Sequence, residues 1–200
     1  MLRREKPHGF TLVELLVGIA LMSALLLIAA PNFATWMQNT QIRTAAEAVL
    51  NGVHLARAEA VRRNTPVIFQ LTSTLDNTCT VSTTGRNWVV SLDPVAGVCG
   101  TAPSADLAAS AAGRIVQTRA SADGSRNATI EASQASITFN GLGRPTAGAG
   151  MSVAIRNPTG GSCSPAGPMR CMQIAVSSMG QVRLCDPQAA SAASGNPTGC

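Results

Sequence analysis

Histidine and aspartate side chains are the residues of this sequence that could perform acid–base or nucleophilic chemistry. The two histidines are His8 and His54, and no G-x-S-x-G motif lies near His54. A Ser-His-Asp arrangement therefore has no support, and His54 is better explained as a helix-surface residue. We expect a protein that is not an enzyme and has no cofactor. The aspartates are scattered singly over predicted loops, at Asp76, Asp93, Asp106, Asp123 and Asp186.

One glycine-rich segment has spacing that could cradle a phosphate group. It reads GLGRP over residues 141–145, but it lacks the third glycine and the Lys-Ser/Thr pair of phosphate-binding loops. Pro145 would also disrupt the helix start that such a site needs. The segment instead predicts a turn that follows a strand ending at Asn140.

Six cysteines could bind a metal ion or form disulfides. No C-x-x-C pair occurs and no histidine lies near them, so we expect no metal site. Disulfides are the default fate of cysteines outside the cytoplasm. Six cysteines allow fifteen pairings, of which the pairing of sequence neighbours is the simplest. These candidate pairs are Cys79 with Cys99, Cys163 with Cys171, and Cys185 with Cys200.

The amino-terminal region contains the most uneven feature of the sequence. No charged residue occurs from Leu15 to Ile42, and the stretch from Leu15 to Ala30 reads LLVGIALMSALLLIAA. Extended to Phe33, the stretch approaches the roughly 20 residues that cross a bilayer. The basic residues before it favour a cytoplasmic amino terminus, with the rest of the chain outside. Glu14 lies at the start of this stretch, where a carboxylate is costly in a membrane and needs a functional reason.

The residues around Glu14 supply such a reason. The string GFTLVELL at residues 9–16, after a short basic leader, resembles the class III signal of type IV pilins and type II secretion pseudopilins. The resemblance implies that a prepilin peptidase cuts between Gly9 and Phe10 and methylates the new amino terminus of Phe10. It also implies that Glu14 pairs with the methylated amine of a neighbouring subunit during filament assembly. The alternative is a plain signal anchor with a glutamate near its interfacial end.

A second segment indicates which branch of this family the chain resembles. HLARAEAVRRN, from His54 to Asn64, is similar to the corresponding part of the H-type pseudopilin and FimT branch of that family. Membership implies a single-pass protein of the bacterial inner membrane, with its head in the periplasm. The implied partners are other pilins or pseudopilins, the inner-membrane assembly platform and the prepilin peptidase.

The pattern after the leader predicts one long helix. Pro31 interrupts the apolar run and should kink the helix, since proline lacks the amide and crowds the preceding turn. Beyond it, apolar residues recur at three- and four-residue spacing, which is typical of an amphipathic helix. We expect a helix over 10–63, transmembrane over about 10–33 and amphipathic over 34–63, with a length of about 80 Å. The apolar positions of the second part are Ile42, Ala46, Val49, Val53, Ala56 and Ala60.

Short alternating runs after Asn64 predict an antiparallel β head. The expected fold class is α+β, with the long helix packed on a disulfide-bonded head of two antiparallel sheets. The predicted domains are a leader at 1–9, the helix at 10–63, the head at 64–186 and a low-complexity tail at 187–200. The predicted strands cover 66–73, 78–82, 86–92, 113–118, 128–131, 135–140, 151–156, 171–177 and 181–185.

Composition and charge limit the possible functions. With 46% hydrophobic and 12% charged residues, the chain is too apolar to be disordered. The formal net charge of +5 falls to +3 once the leader, with three basic residues and one acidic residue, is removed. Such modest basicity does not by itself indicate a nucleic-acid partner.

Two functions from different classes remain. The first is a minor pilin or pseudopilin that enters a type IV pilus-like filament through its helix and serves protein secretion or pilus biogenesis. A bitopic envelope protein with no filament role is the alternative to it. The second is DNA binding during natural transformation, since some FimT-like minor pilins use a basic Gly-Arg-x-Arg signature.

The matching residues here are Gly180-Gln181-Val182-Arg183, where Gln181 replaces one arginine. The candidate phosphate contacts are Arg156, Arg170 and Arg183. The alternative is that these arginines are solvated strand-edge charges, which discourage aggregation.

Overall fold

The computed structural model describes residues 10–104, 112–121, 123–189 and 198–200, apart from the side chains of residues 28, 29 and 31. The predicted leader and part of the predicted tail therefore lie outside the described residues. The chain divides into two compact units, residues 1–37 and residues 38–200. One helix, α1 (Leu12–Arg63), is followed by a β-rich head. The predicted α+β fold class is confirmed.

Helix α1 ends at a defined cap. Asn64 has a φ of 50° and donates its N–H to the carbonyl oxygen of Val61 at 3.3 Å. The N–H of Thr65 donates to the carbonyl oxygen of Ala60 at 3.3 Å. This Schellman arrangement satisfies carbonyls that the end of a helix leaves unpaired. Pro66 follows, and its missing amide prevents the helix from continuing.

Eight strands form the head in the described residues. They are β1 (Val67–Thr72), β2 (Asn87–Ser91), β3 (Ile115–Arg119), β4 (Thr129–Ala132), β5 (Ser136–Phe139), β6 (Met151–Arg156), β7 (Met172–Val176) and β8 (Val182–Cys185). Sheet 1 has the order β3-β2-β1-β5 and sheet 2 the order β4-β6-β7-β8, with every pairing antiparallel. The two-sheet antiparallel head is thus as predicted.

The predicted strand over 78–82 is wrong except for one bridge, between Val81 and Thr72. Asp76 provides the physical reason. Its carboxylate accepts a hydrogen bond from the N–H of Thr78 at 2.7 Å and another from the hydroxyl of Thr78. Side-chain bonds to neighbouring backbone groups compete with strand pairing, so residues 77–78 form a turn and pairing with the end of β1 is limited to the bridge and the two backbone bonds beside it.

One face of α1 is buried against both sheets. All six apolar positions predicted for this face are at most 1% exposed. They belong to one cluster with side chains from β1, β2 and β5 of sheet 1 and from β4, β6 and β7 of sheet 2. Three of these positions are alanines: Ala46, Ala56 and Ala60. Because a methyl side chain is short, the neighbouring strands can pack close to the helix backbone.

Gly52 lies on the same face, beside an aromatic pair. The rings of Phe69 and Trp88 are tilted, with centroids 5.9 Å apart. A Cβ atom at Gly52 would lie 2.8 Å from Cε2 of Phe69 and 3.0 Å from Cδ2 of Trp88. Glycine inside a helix is less favourable than alanine by roughly 1 kcal/mol. The space that the two rings occupy explains why glycine stands here.

A smaller apolar cluster surrounds the disulfide between Cys79 and Cys99, with Val89, Val95 and Ile115 packed around it. The other two disulfides close loops of sheet 2. All three join cysteines that are neighbours in the sequence: Cys79–Cys99, Cys163–Cys171 and Cys185–Cys200.

Polar side chains in and beside sheet 1 bond to the loop that follows β2, through a buried pair and a half-buried ion pair. Gln70, which is 3% exposed, donates from Nε2 to Oγ of Ser91 at 2.9 Å and accepts at Oε1 from the N–H of Val95. Arg114 donates two hydrogen bonds of 2.6 Å to the carboxylate of Asp93. These bonds lower the pKa of Asp93 below its usual value.

The end of the chain returns to β8. The N–H of Asp186 donates to the carbonyl oxygen of Thr198 at 2.7 Å, and Asp186 forms a parallel bridge with Gly199. The final residue, Cys200, is bonded to Cys185. The last residues of the predicted tail are therefore held against sheet 2, while 190–197 lie outside the described residues.

Replacing Gly52 by alanine should destabilise the head, although alanine is the better helix former. The added methyl group collides with two rings, and overpacking of this kind costs about 1–3 kcal/mol in the free energy of unfolding. Chemical unfolding of the full chain in detergent measures the change. The matched control is Asn51→Ala, one residue away and exposed, which should leave stability within about 0.5 kcal/mol of the parent. Equal stability of the two variants would contradict the packing argument.

Candidate functional site

A reciprocal pair of hydrogen bonds closes the amino-terminal end of α1. Oγ1 of Thr11 accepts from the N–H of Glu14 at 3.2 Å. Oε2 of Glu14 accepts from the N–H of Thr11 and from its hydroxyl, both at 3.0 Å. Because α1 begins at Leu12, Thr11 is the N-cap and Glu14 the third helical residue. This is a capping box, which satisfies backbone donors that a helix start leaves unpaired.

Thr11 is the residue of this site that sequence analysis missed. A T-x-x-E pattern before an apolar run is the sequence signature of a capping box, and residues 11–14 contain it. Glu14 therefore starts the helix, in addition to the pairing role that the resemblance implies. Both bonds from Thr11 use Oε2, and a carboxylate offers about four acceptor sites. The cap leaves Glu14 the capacity to accept from a further donor.

Apolar side chains are exposed on every face of α1 between Leu12 and Leu27. Their exposed fractions run from 52% at Val17 to 79% at Leu27, and Phe10 is 91% exposed. A helix that is apolar all round requires an apolar environment on all sides. We term residues 10–27 the apolar segment. Its other large members are Leu12, Val13, Leu15, Leu16, Ile19, Leu21, Met22, Leu25 and Leu26.

In the part of the chain that the structure describes, no single helix is long and apolar enough to cross a membrane. A bent pair of segments, Leu12–Leu27 and Asn32–Arg63, could do so on length and composition alone. Pro31 lies between these two segments, and the kink assigned to it stays a prediction. Gly9, the residue before the expected cut, lies outside the described residues.

Polar side chains fix α1 to the loops of the head at the start of the second compact unit. Asn157, which is 1% exposed, donates from Nδ2 to Oε1 of Gln38 at 2.6 Å and to the carbonyl oxygen of Gln38 at 3.3 Å. The N–H of Asn127 donates to Oε1 of Gln41 at 3.0 Å. We term these four residues the polar clasp. It sets the position at which α1 joins the head.

The structure does not bring the three candidate DNA-contacting arginines into one cluster, although all three are exposed. Arg156, at the end of β6, forms an ion pair with Glu131 at 3.4 Å. The strand register places Arg183 on the same face of sheet 2, two strands and four residues from Arg156. This separation corresponds to about 16 Å. Arg170 precedes β7, and its N–H donates to Oδ1 of Asn39 at 2.7 Å.

The titratable side chains of the described residues do not form a metal site: no group of three or more His, Cys, Asp or Glu side chains could hold an ion there. His54 is exposed on α1. Asp76 and Asp93 take part in local hydrogen bonds, from Thr78 and Arg114 respectively, that lower the pKa of each carboxyl. Both carboxylates thus have structural partners.

Replacing Asn157 by alanine should loosen the point at which α1 joins the head. The change removes two hydrogen bonds to Gln38 from a buried site and should cost about 1–3 kcal/mol in the free energy of unfolding. Hydrogen exchange of the amides at 38–42 should accelerate. The control is Arg43→Ala, which removes an exposed ion pair with Glu47 on the same helix and should cost less than about 1 kcal/mol. Unchanged exchange in Asn157→Ala would contradict the role of the clasp.

Comparison with solved structures supports the fold. The chain is similar to a crystal structure of the type IV minor pilin FimU of Pseudomonas aeruginosa, with a TM-score of 0.50 and 17% identity over 77% of this chain and 98% of that chain. A second crystal form of FimU gives a TM-score of 0.47 and 16% identity over 74% of this chain and 98% of that chain. At this identity the likeness shows a shared fold alone. The curated proteins contain no match to this chain.

Comparison with family models supports the two resemblances drawn from the sequence. The prokaryotic N-terminal methylation motif matches residues 5–30. The type II transport protein GspH matches residues 45–180, which is more than half of the chain. The chain therefore belongs to the GspH family of minor pilins and pseudopilins.

Proposed function

We propose that this chain enters a type IV pilus-like filament as a minor subunit through its amino-terminal helix. A prepilin peptidase first cleaves between Gly9 and Phe10 and methylates Phe10. The observation that carries the proposal is the apolar segment, which is exposed on every face. Lipid covers such a surface before assembly, and the packed helices of other subunits cover it in a filament.

Glu14 would guide this assembly. It is the one charged residue between Phe10 and Ile42, so in a lipid or filament environment its carboxylate needs a cationic partner. The methylated amine of Phe10 on a neighbouring subunit is the partner that we propose. The capping box supports this role, because the bonds from Thr11 hold the carboxylate at the amino-terminal end of α1.

The proposed location is the bacterial inner membrane, with a single span over about residues 10–33 and the head in the periplasm. The basic leader supports this orientation, and three disulfides suit an oxidising compartment. The proposed partners are other pilins or pseudopilins, the assembly platform and the prepilin peptidase. The filament would serve protein secretion or pilus biogenesis. Deletion of the gene separates these two, through loss of secreted proteins or loss of surface pili.

Replacing Glu14 by glutamine should block assembly without disturbing the helix start. Glutamine preserves a capping box, whereas the charge that pairs with the neighbouring amine is lost. Leaving one partner of a desolvated ion pair alone costs about 3–5 kcal/mol, so the variant should enter filaments at less than about a tenth of the parent level. Sheared filaments and membranes, probed with an antibody to the head, provide the measurement.

The matched control for that experiment is Thr11→Ala, which breaks the capping box and keeps the charge of Glu14. It should enter filaments at nearly the parent level. Incorporation of Glu14→Gln equal to that of Thr11→Ala would rule out the charge-pairing role. Mass spectrometry of the parent should find a methylated Phe10 at the amino terminus. An intact Met1 would instead favour the bitopic envelope protein and overturn the filament proposal.

DNA binding is the second candidate function. One observation favours it: Arg156 and Arg183 project from the same exposed face of sheet 2. Their separation of about 16 Å suits contacts to phosphates that are not adjacent, and Arg170 lies just before β7. Ion pairing of Arg156 with Glu131 reduces the charge that this face offers to DNA.

Arg170→Ala combined with Arg183→Ala should weaken DNA binding if this face contacts phosphates. Three phosphate contacts predict about a fortyfold loss of affinity of the parent chain between 50 and 200 mM salt. Fluorescence anisotropy of a labelled duplex with the full chain in detergent measures both effects. The control is Arg126→Ala, an exposed arginine outside sheet 2. Absence of binding at low salt, or equal binding by the three proteins, would reject this function.

A further inference from the structure

Three exposed aliphatic side chains stand out in the described residues of the head. Val61 is 52% exposed, Leu142 is 78% exposed and Met179 is 60% exposed. No other large hydrophobic residue in the described part of 38–200 is exposed to this extent. Single exposed apolar residues are ordinary, but a cluster of them marks an interaction surface.

Two glycines show that the segments that carry these residues meet. A Cβ atom at Gly143, beside Leu142, would lie 3.2 Å from Cγ2 of Val61. A Cβ atom at Gly180, beside Met179, would overlap the carbonyl oxygen of Gly143. Both glycines have positive φ, of 71° and 82°, which other residues rarely adopt. The loop between β5 and β6 and the hairpin between β7 and β8 thus meet at backbone distance, next to the end of α1.

Hydrogen bonds hold the loop between β5 and β6 in a fixed shape. Oδ1 of Asn140 accepts from the N–H groups of Leu142 and Arg144, at 3.0 and 3.1 Å. The N–H of Asn140 donates to the carbonyl oxygen of Arg144 at 2.9 Å. The turn predicted after Asn140 is therefore confirmed. Because its backbone is already ordered, the loop that carries Leu142 would lose little conformational entropy on binding a partner.

The hairpin between β7 and β8 is held in a similar way. Ser177 and Gln181 are joined by two hydrogen bonds. In the first, the N–H of Ser177 donates to the carbonyl oxygen of Gln181 at 2.8 Å. The N–H of Gln181 donates to Oγ of Ser177 at 3.1 Å. Met179 lies at the tip of this closed turn. Both aliphatic side chains are thus carried on ordered turns, as expected of binding anchors.

Two arginines lie in or beside the loop that carries Leu142. Nε of Arg57 lies 3.0 Å from the Cβ position of Gly143, and Arg144 follows Gly143 in the same loop. No ion pair joins Arg57 or Arg144 to an acidic side chain in the described residues. The one carboxylate nearby on α1, Glu59, accepts hydrogen bonds from Arg62 and Arg63, and the bond from Arg62 lowers its pKa. The local charge is therefore positive.

We propose that this surface, the Leu142 patch, binds an acidic segment of a partner protein that carries aliphatic side chains. The patch consists of Val61, Leu142 and Met179 with Arg57 and Arg144. The unpaired arginines complement carboxylates, and the aliphatic side chains gain by burial only against an apolar partner. A phosphate backbone would use the arginines and leave Leu142 and Met179 in water, so a protein fits better than DNA. The inference concerns residues of the second compact unit and does not rest on the filament role of the apolar segment.

The experiment uses the full chain in detergent and three labelled probes. The first probe is a short peptide of aspartate, leucine and serine. The second probe replaces each leucine of the first by serine, and the third is a DNA duplex. Fluorescence anisotropy should show that the leucine peptide binds at least about tenfold more tightly than either other probe, because burial of aliphatic side chains adds to the charge attraction.

Leu142→Ser combined with Met179→Ser should weaken binding of the leucine peptide about tenfold. Both positions are exposed in turns, so the fold should persist, and unfolding of the variant in denaturant verifies this. Arg57→Gln with Arg144→Gln should weaken both peptides together. The controls are Ala147→Ser, exposed in the same connection, and Arg126→Gln, exposed elsewhere, and both should bind as the parent does.

Three results would overturn the proposal. The first is that the parent chain binds neither peptide. The second is equal binding of the two peptides, which would leave charge as the sole attraction. The third is tighter binding of the DNA duplex than of the leucine peptide, with the duplex released by the arginine substitutions.

Discussion

Close contact between the small-residue face of α1 and the two sheets is the constraint on which the rest of the head depends. Alanine recurs along this face, and Gly52 leaves room for the rings of Phe69 and Trp88. The two sheets share no strand, so the helix belongs to the core of both. Any side chain at Gly52 would have to displace one of these rings.

The two parts of α1 differ in which of their side chains are exposed to the surroundings. Between Phe10 and Leu27 the apolar side chains face outward in all directions, so their stability depends on what surrounds the chain. From Gln38 onward, one face is buried in the head and the other is polar. The change occurs where the polar clasp binds α1 through Gln38 and Gln41. Directional hydrogen bonds at this level fix the position of the helix at the start of the head, as the close packing around Gly52 fixes it further along. The clasp thus determines which helical residue marks the start of the head.

Periodicity in the sequence was sufficient for the fold class, the helix and eight strands. It failed at 78–82, because the alternation there is overridden by the side chain of Asp76, which bonds to the backbone locally. The capping box could be predicted from the sequence, since Thr11 and Glu14 are three residues apart and form a T-x-x-E pattern. The pairing role that the resemblance gives to Glu14 involves no bond to Thr11. The clasp was not readable, because Gln38 and Asn157 lie 119 residues apart and neither belongs to a motif. The Leu142 patch likewise assembles side chains from three separate segments.

The polar clasp has a mechanical consequence. Tension drawn on α1 from its amino-terminal side reaches the hydrogen bonds of Gln38 before it reaches the buried apolar residues from Ile42 onward. Hydrogen bonds fail over a fraction of an ångström, whereas apolar contacts lose energy gradually as area is exposed. Under such tension the polar clasp is the stiff attachment and is loaded first. The buried apolar face of α1 is the more compliant attachment and is loaded after it. Small loads leave the position of the helix unchanged, and a larger load opens the clasp while the core still holds the helix.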